Sequence, residues 1–420
     1  MMRDMIHVAY AVHDEHGSFS KFTGTSIASI FMNTSSRVVI HILHDESLSK
    51  ENREKFEALA EKYGQEIRFY DVEELATRDL IKVLEAMPEM SESRFSVGAF
   101  YRLLVGKVIP HDVKKLIYLD SDIIVNLDIA ELYAEPVGAN GIAAVMEHAL
   151  THGKPAPQPL VESGEVPRDK YFNSGVMVMD MDKFRSHESI VDDGLLMLKN
   201  HPDSFCYDQD VLNYFFHEGY RELDIRYDRF VSIERHHGFP VSAGIYHFAG
   251  HALDFFLKND SYNRLFINAF VQTPWFSAEM LEQIFGGIFN AYGVWRDSGR
   301  KAINAFSGKS RVFCGEANKE RLIRKLFEAR DDEEYRAVAV AGGKIFVQKL
   351  LDEMKNSKSK RKKVIYVLCL AGGLAGINGL RRFMDEAGLV ENEDYIDGGR
   401  FIPESDGGWQ LSSFDFFSKI

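Results

Sequence analysis

The chain predicts an α/β fold, a mixed and mostly parallel sheet flanked by helices, followed by a second, smaller α/β domain. Three observations carry this expectation. Strand-like and helix-like runs alternate through the N-terminal third; 420 residues exceed what one core usually supports; and the composition shifts near residue 300, where a fresh strand begins. Ile6–Val12 reads as a buried strand, residues 22–33 as a helix with small residues on one side, and residues 38–43 as a second strand. Residues 49–63 read as a helix with Ser49 as its cap and Asn52 where the acid of a capping box would sit, and residues 66–70 as a third strand. Strands separated by helices imply right-handed βαβ units. Residues 95–104 read as helical and lead into one strand over residues 116–125, which carries Asp120 and Asp122.

Residues 149–170 change character: Pro155, Pro157, Pro159 and Pro167, with Gly153 and Gly164, read as a long irregular loop, either functional or a tolerated surface insertion. Residues 171–181 then read as a strand pair, and residues 190–200 and 209–218 as helices. A first domain spans residues 1–285, a linker 286–307, and the small α/β domain 308–420. In the latter, residues 311–314 and 364–370 read as strands and 319–329 as a helix. Six of the nine residues from 355 to 363 are basic, which fits a solvated loop better than a phosphate or anionic-lipid patch.

Charge and cysteine usage narrow the function. A net charge of −13 argues against a nucleic-acid partner. Cys206, Cys314 and Cys369 lie far apart with no Cys-x-x-Cys pair, which suits a reducing compartment. The N-terminus lacks the apolar stretch of a signal peptide, and the longest apolar run, residues 364–380, holds four glycines and is short for a membrane span. A cytoplasmic location is expected, peripheral to the inner face of the membrane at most. Nothing in the residues fixes the oligomeric state, and a homo-oligomer stays open.

The aspartate pair interrupts an apolar run, Lys115-Leu116-Ile117-Tyr118-Leu119-Asp120-Ser121-Asp122-Ile123-Ile124-Val125. Aspartates are depleted in strands and seldom buried without a partner or a metal, so the pair belongs at a strand end, where open α/β sheets bind ligands. Two carboxylates joined by a turn can point at one hard divalent cation that also holds phosphates. For the three-residue pattern alone, an ordinary Asp-rich strand-end turn with no ligand is the better explanation, since so short a pattern recurs by chance. Tyr171-Phe172-Asn173-Ser174-Gly175 places an amide and a hydroxyl at a glycine turn before a strand, a place to fix sugar hydroxyls. Tyr207-Asp208-Gln209-Asp210 packs two acids and an amide into a helix start, where N-capping would account for Asp208. Ile245-Tyr246-His247-Phe248-Ala249-Gly250 is a short apolar strand ending in a histidine and then a glycine, suited to a metal ligand beside a close phosphate or to a hydrogen-bonded core histidine.

Together and in this order, these segments resemble the family 8 glycosyltransferases, retaining enzymes that use a nucleotide-sugar donor and manganese on a Rossmann-like fold. The resemblance covers roughly residues 6–280. It implies Asp120, Asp122 and His247 as ligands of Mn2+ or Mg2+. Ala11, Arg102, Ser121, Asn173, Ser174 and Gly250 become donor-binding residues, and Asp208 and Gln209 face the transferred sugar. Even Gln272-Thr273-Pro274-Trp275-Phe276 is similar to a Thr-Pro segment of bacterial members. The implied partners are a nucleotide-sugar donor, a UDP-hexose, and a saccharide or lipid-linked saccharide acceptor of lipopolysaccharide or capsule. Two positions depart from the pattern. Leu253-Asp254-Phe255 stands where the family has Lys-Pro-Trp, leaving Lys258 or His251 as substitutes for the phosphate lysine, and His13 stands where an acid faces the uracil. The small C-terminal domain resembles a Rossmann-like module of bacterial surface-polysaccharide enzymes; it lacks Gly-x-Gly-x-x-Gly, so packing or partner binding is its expected role. A non-catalytic sugar-nucleotide-binding protein is the alternative to a transferase, and a nucleotidyltransferase is disfavoured because residues 6–20 hold no glycine-rich basic loop.

Overall fold

Burial on both faces is written into the central strands. Val38–His44 is buried at every position, and Phe172–Asp180 at every position but its last, so both faces must be covered. The computed structural model describes residues 5–15, 17–86, 97–147, 158–204, 206–249, 253, 259–282, 309–315, 323–324, 334–337, 344–360, 363–369, 384–391 and 393–398. These fall into two compact units, Met1–Ser277 with Phe417–Lys419, and Ala278–Phe416 with Ile420.

In the first unit the strands are β1 (Ile6–Val12), β2 (Val38–His44), β3 (Glu66–Asp71), β4 (Lys115–Leu119), β5 (Ile123–Asn126), β6 (Ile142–Met146), β7 (Phe172–Asp180), β8 (Arg221–Glu222), β9 (Arg229–Phe230) and β10 (Gly244–His247). Seven of them form one sheet in the order β3-β2-β1-β4-β7-β6-β8. β3, β2, β1 and β4 run parallel, and β7 is antiparallel to β4 and β6. The order reverses beside β1, since β2 and β3 follow on one side of it and β4 lies on the other. Such a reversal opens a crevice at the carboxyl ends of the strands. A second sheet, β5-β10-β9, starts just past that crevice.

The expected single strand over residues 116–125 is therefore two. β4 ends at Leu119 in the large sheet and β5 begins at Ile123 in the small one, so Asp120-Ser121-Asp122 is the bend between sheets. The expected strand pair over residues 171–181 is one nine-residue strand, and Asn173, Ser174 and Gly175 lie inside it rather than on a turn. Residues 97–104 form a 3-10 helix. The irregular stretch expected over residues 149–170 contains a short helix, Pro159–Glu162, and a 3-10 turn, Arg168–Lys170. The N-cap position of the helix Tyr207–Phe216 is Cys206, with no side-chain cap bond, and Asp208 lies inside the first turn rather than capping it. The Ser49 cap is present: its side chain accepts from the Asn52 N–H at the start of Lys50–Tyr63.

The second unit contains β11 (Ser310–Gly315), β12 (Glu334–Ala337), β13 (Val364–Cys369) and β14 (Tyr395–Asp397), all parallel in the order β12-β11-β13-β14. Cys314, Met354, Leu368 and Tyr395 belong to its core. The basic run starts within the helix Lys344–Ser359, where Lys358 pairs with Asp394 at 2.6 Å. All three cysteines are free thiols. Among the described residues no helix is long and apolar enough to cross a membrane.

Candidate functional site

The antiparallel pairing of β10 with β5 sets His247 opposite Ile123, next to Asp122, and the Phe248 N–H donates to the Asp122 carbonyl at 2.9 Å. On the other side the Asp120 N–H donates to the Gly175 carbonyl at 2.9 Å, fixing the end of β4 against β7. The result brings one ligand atom each from Asp120, Asp122 and His247 within 4.8 Å of one another. The aspartate side chains keep 23% and 31% of their surface open, against 6% for the histidine, so a ligand reaches the carboxylates from the cleft.

Asp228 completes the histidine. Its Oδ1 lies 3.0 Å from His247 Nδ1, which leaves Nε2 facing Asp122 Oδ1 at 3.3 Å. A carboxylate behind a histidine fixes the ring and its tautomer, as it does behind metal ligands. Burial alone would lower the His247 pKa, but Asp122 and Asp228 more than reverse this and raise it well above the ordinary value. For Asp122, burial works upward while the His247 charge and hydrogen bond win and lower it. Burial raises the Asp120 carboxyl against the pull of Arg102.

Gly175 makes the cluster possible. A Cβ there would lie 2.5 Å from His247 Cε1, 2.9 Å from Asn173 Oδ1 and 3.0 Å from Asp120 Oδ2. Only a residue with no side chain lets β7 approach both candidate ligands this closely. A set of two carboxylates and one imidazole suits a divalent ion such as Mn2+ or Mg2+ better than a thiolate-loving one. The residues present thus fit such an ion.

Arg102, buried near the end of the 3-10 helix Val97–Leu104, ties this cluster to the helix Tyr207–Phe216. Its Nη2 lies 2.8 Å from Asp120 Oδ1 and its Nε 2.7 Å from Asp208 Oδ2. Nη1 donates to the Ser174 carbonyl at 3.1 Å and to Ser174 Oγ at 2.8 Å. The guanidinium also covers the Tyr118 ring at 4.9 Å. Burial would lower its pKa, yet Asp120 and Asp208 raise it further. Burial pushes the Asp208 carboxyl up to about 6, with Arg102 opposing.

Gln209 Oε1 accepts from the Ser174 N–H at 2.9 Å, and its Nε2 donates to Glu147 Oε2 at 3.1 Å. Asn173 Nδ2 donates to the same Glu147 oxygen at 2.7 Å. Nine of the eleven expected site residues, Arg102, Asp120, Ser121, Asp122, Asn173, Ser174, Asp208, Gln209 and His247, belong to this one bonded group and its bend. Ala11 lies on β1, paired with Leu43 and partly buried against the core. Gly250, His251 and Lys258 lie outside the described residues. Leu253, at the position of the family lysine, is buried. His13, at the end of β1, bonds Asp45 through Nδ1, and Tyr101 donates to the same carboxylate at 2.6 Å. These three side chains line a cavity of about 400 Å³ together with Glu15, Ser47 and Glu73.

Sequence reading missed Asp228, Glu147 and Gly175. Asp228 and His247 are 19 residues apart and meet only because β9 pairs with β10, so no local signal marks the aspartate. Gly175 ends the run Tyr171-Phe172-Asn173-Ser174-Gly175, but the reason for a glycine there is its close approach to His247 on the other sheet.

Comparison with known proteins identifies the family. The model of glycosyl transferase family 8 matches residues 7–252. General stress protein A of Bacillus subtilis is 24% identical over 231 residues, 54% of this chain and 74% of that protein. Lipopolysaccharide 1,3-galactosyltransferase of Salmonella typhimurium is 27% identical over 231 residues, 54% of this chain and 64% of that protein. Among solved structures, the galactosyltransferase LgtC in complex with donor and acceptor sugar analogues superposes with a TM-score of 0.53 at 18% identity, over 66% of this chain and 100% of that one. That likeness is one of fold.

Proposed function

Because this chain belongs to glycosyl transferase family 8 and is a glycosyltransferase, we propose that it is a retaining hexosyltransferase. It moves glucose or galactose from a UDP-sugar to a saccharide acceptor of lipopolysaccharide or capsule, on the cytoplasmic side. The observation that supports this most is the cluster of Asp120, Asp122 and His247 at the crevice beside β1 and β4, with ligand atoms within 4.8 Å of one another. These three residues would hold Mn2+ or Mg2+, which when bound supplies Lewis-acid neutralisation of a departing diphosphate.

The chain's own groups do the rest. Asp228 orients His247 so that Nε2 faces the cleft side of the cluster. Arg102 holds Asp120 and Asp208 in one rigid frame through its fork of donors. Asn173, whose amide bonds Glu147, and Ser174, whose hydroxyl accepts from Arg102, frame the donor-sugar side of the site, and Asp208 orients the sugar and stabilises positive charge on its ring. Retaining glycosidases place a carboxylate nucleophile beneath the anomeric carbon. Here the matching position is Gln209, a poor nucleophile with both ends of its amide bonded to the protein. Front-side attack by the acceptor, with the leaving phosphate taking its proton, suits this arrangement better.

Incubation with UDP-glucose and UDP-galactose, with and without Mn2+, tests the reading, with product anomers followed by NMR. Metal-dependent donor consumption with retention is expected, and Asp122→Ala should abolish it; turnover indifferent to that substitution would remove the metal assignment. The buried Leu253 in place of a phosphate cation favours a second reading, a sugar-nucleotide-binding protein without turnover. Calorimetry separates the two: tight donor binding with no product over long incubation selects the second.

A further inference from the structure

Ser121, between the two aspartates, does not stand alone. Its hydroxyl lies 2.7 Å from Thr23 Oγ1, on the helix Ser18–Asn33. Thr23 Oγ1 also donates to the Phe19 carbonyl at 2.8 Å. A hydroxyl has one proton, so with Thr23's spent on Phe19 the Ser121 hydroxyl is the donor in the pair. The bend that carries both carboxylates is thereby pinned to a fully buried residue of a neighbouring helix.

That helix is itself held from behind. Asp14 Oδ1 accepts from the Phe19 N–H at 2.8 Å, and its Oδ2 accepts from Ser20 Oγ. Asn52 Nδ2 donates to Asp14 Oδ2 at 2.9 Å, and Trp275 Nε1 donates to Asn52 Oδ1, also at 2.9 Å. Asn52 sits where a capping-box acid was expected, but an acid could not serve here. The position needs one donor for Asp14 and one acceptor for the indole, which an amide supplies and a carboxylate does not. The indole of Trp275 lies against the backbone of the residue after Thr23: a Cβ on Gly24 would be 2.2 Å from Trp275 Cζ3. Asp14, Thr23, Asn52 and Trp275 are all buried.

We propose that Thr23 is a positioning residue for the Asp120–Asp122 bend, held in place by a Trp275–Asn52–Asp14 brace. The inference rests on the metal reading given above. Losing a partner that orients a metal ligand typically costs roughly 10–100-fold in metal affinity. The brace acts one residue further from the ion, so the lower end of that range applies.

Mn2+ alone is the probe, titrated into the full chain and followed by loss of the free-ion EPR signal. Thr23→Val, which keeps the shape and removes the hydroxyl, is expected to bind Mn2+ roughly 10-fold more weakly. Thr23→Ser should bind as the wild type does, a rescue that a packing role for the threonine methyl would not give. Trp275→Phe, which keeps most of the ring and deletes Nε1, should move Mn2+ binding in the same direction as Thr23→Val and provides the test if that variant does not fold. Wild-type affinity in both Thr23→Val and Trp275→Phe, or equal weakening in Thr23→Val and Thr23→Ser, overturns the brace while leaving the metal reading intact. A wild-type chain that takes up no Mn2+ overturns the metal reading and the brace with it.

Discussion

Replacing Gly175 by alanine adds one methyl group at the tightest point of the site. The new Cβ would lie 2.5 Å from His247 Cε1 and 3.0 Å from Asp120 Oδ2, so it presses on two of the three candidate ligands at once. Carbon atoms in contact settle at about 3.5–4.0 Å, so the imidazole or β7 must give way by roughly 1 Å. The Gly175 backbone is not among the positive-φ positions, so alanine meets a steric obstacle rather than a conformational one. Overpacking of this kind costs about 1–3 kcal/mol of stability. Metal sites tolerate ligand displacements of only about 0.2 Å, so the loss in ion affinity should reach or exceed the roughly 10–100-fold seen when an orienting partner is removed. Two measurements check this: thermal unfolding without metal and calorimetric Mn2+ titration. A Gly175→Ala chain that melts like the wild type and binds Mn2+ as tightly would refute the steric account, and with it the claim that β7 sets the ligand spacing.

Two further outcomes follow from the geometry. Burial pushes the Asp208 carboxyl up to about 6, against an ordinary value near 3.9, a gap corresponding to about 3 kcal/mol. The folded chain keeps a proton that the unfolded chain releases, so this contribution is present below the unfolded value and is lost as pH rises through about 6. Asp208→Asn removes that slope, and urea unfolding should show the variant gaining on the wild type by roughly 1 kcal/mol between about pH 5 and about pH 8; a constant or shrinking gap would contradict the burial argument. Asp228→Asn should leave the fold in place and weaken Mn2+ binding roughly 10–100-fold, because His247 loses the carboxylate that fixes its ring; unchanged affinity in the same titration would remove Asp228 from the site.

Much of the fold was legible because buried parallel strands announce themselves as apolar runs. β1, β2 and β3 lie within a residue of where the pattern sets them, and the helix Lys50–Tyr63 starts at its serine cap. Periodicity failed where the chain changes sheets. Leu116 to Val125 is apolar on both sides of Asp120-Ser121-Asp122, so nothing but the aspartates signals that β4 and β5 belong to different sheets. Glycine usually marks a turn, so Asn173-Ser174-Gly175 reads as one; in the structure the glycine serves a close approach within a strand. The site's polar residues were legible as types, since two acids in an apolar run and a histidine ending a strand need explaining. Their supports were not. Asp228, Glu147, Thr23 and Trp275 act through contacts between segments far apart in sequence, and no local pattern encodes those.

The proposed function turns on Asp120, Asp122 and His247 sharing one divalent ion with a donor diphosphate. Crystals soaked with Mn2+ and a UDP-hexose, measured near the manganese absorption edge, address it directly. A single anomalous peak bounded by one carboxylate oxygen of each aspartate, by His247 Nε2 and by the diphosphate is the expected result. Bound nucleotide sugar with no anomalous peak at these three residues, or a peak elsewhere in the cleft, would contradict it.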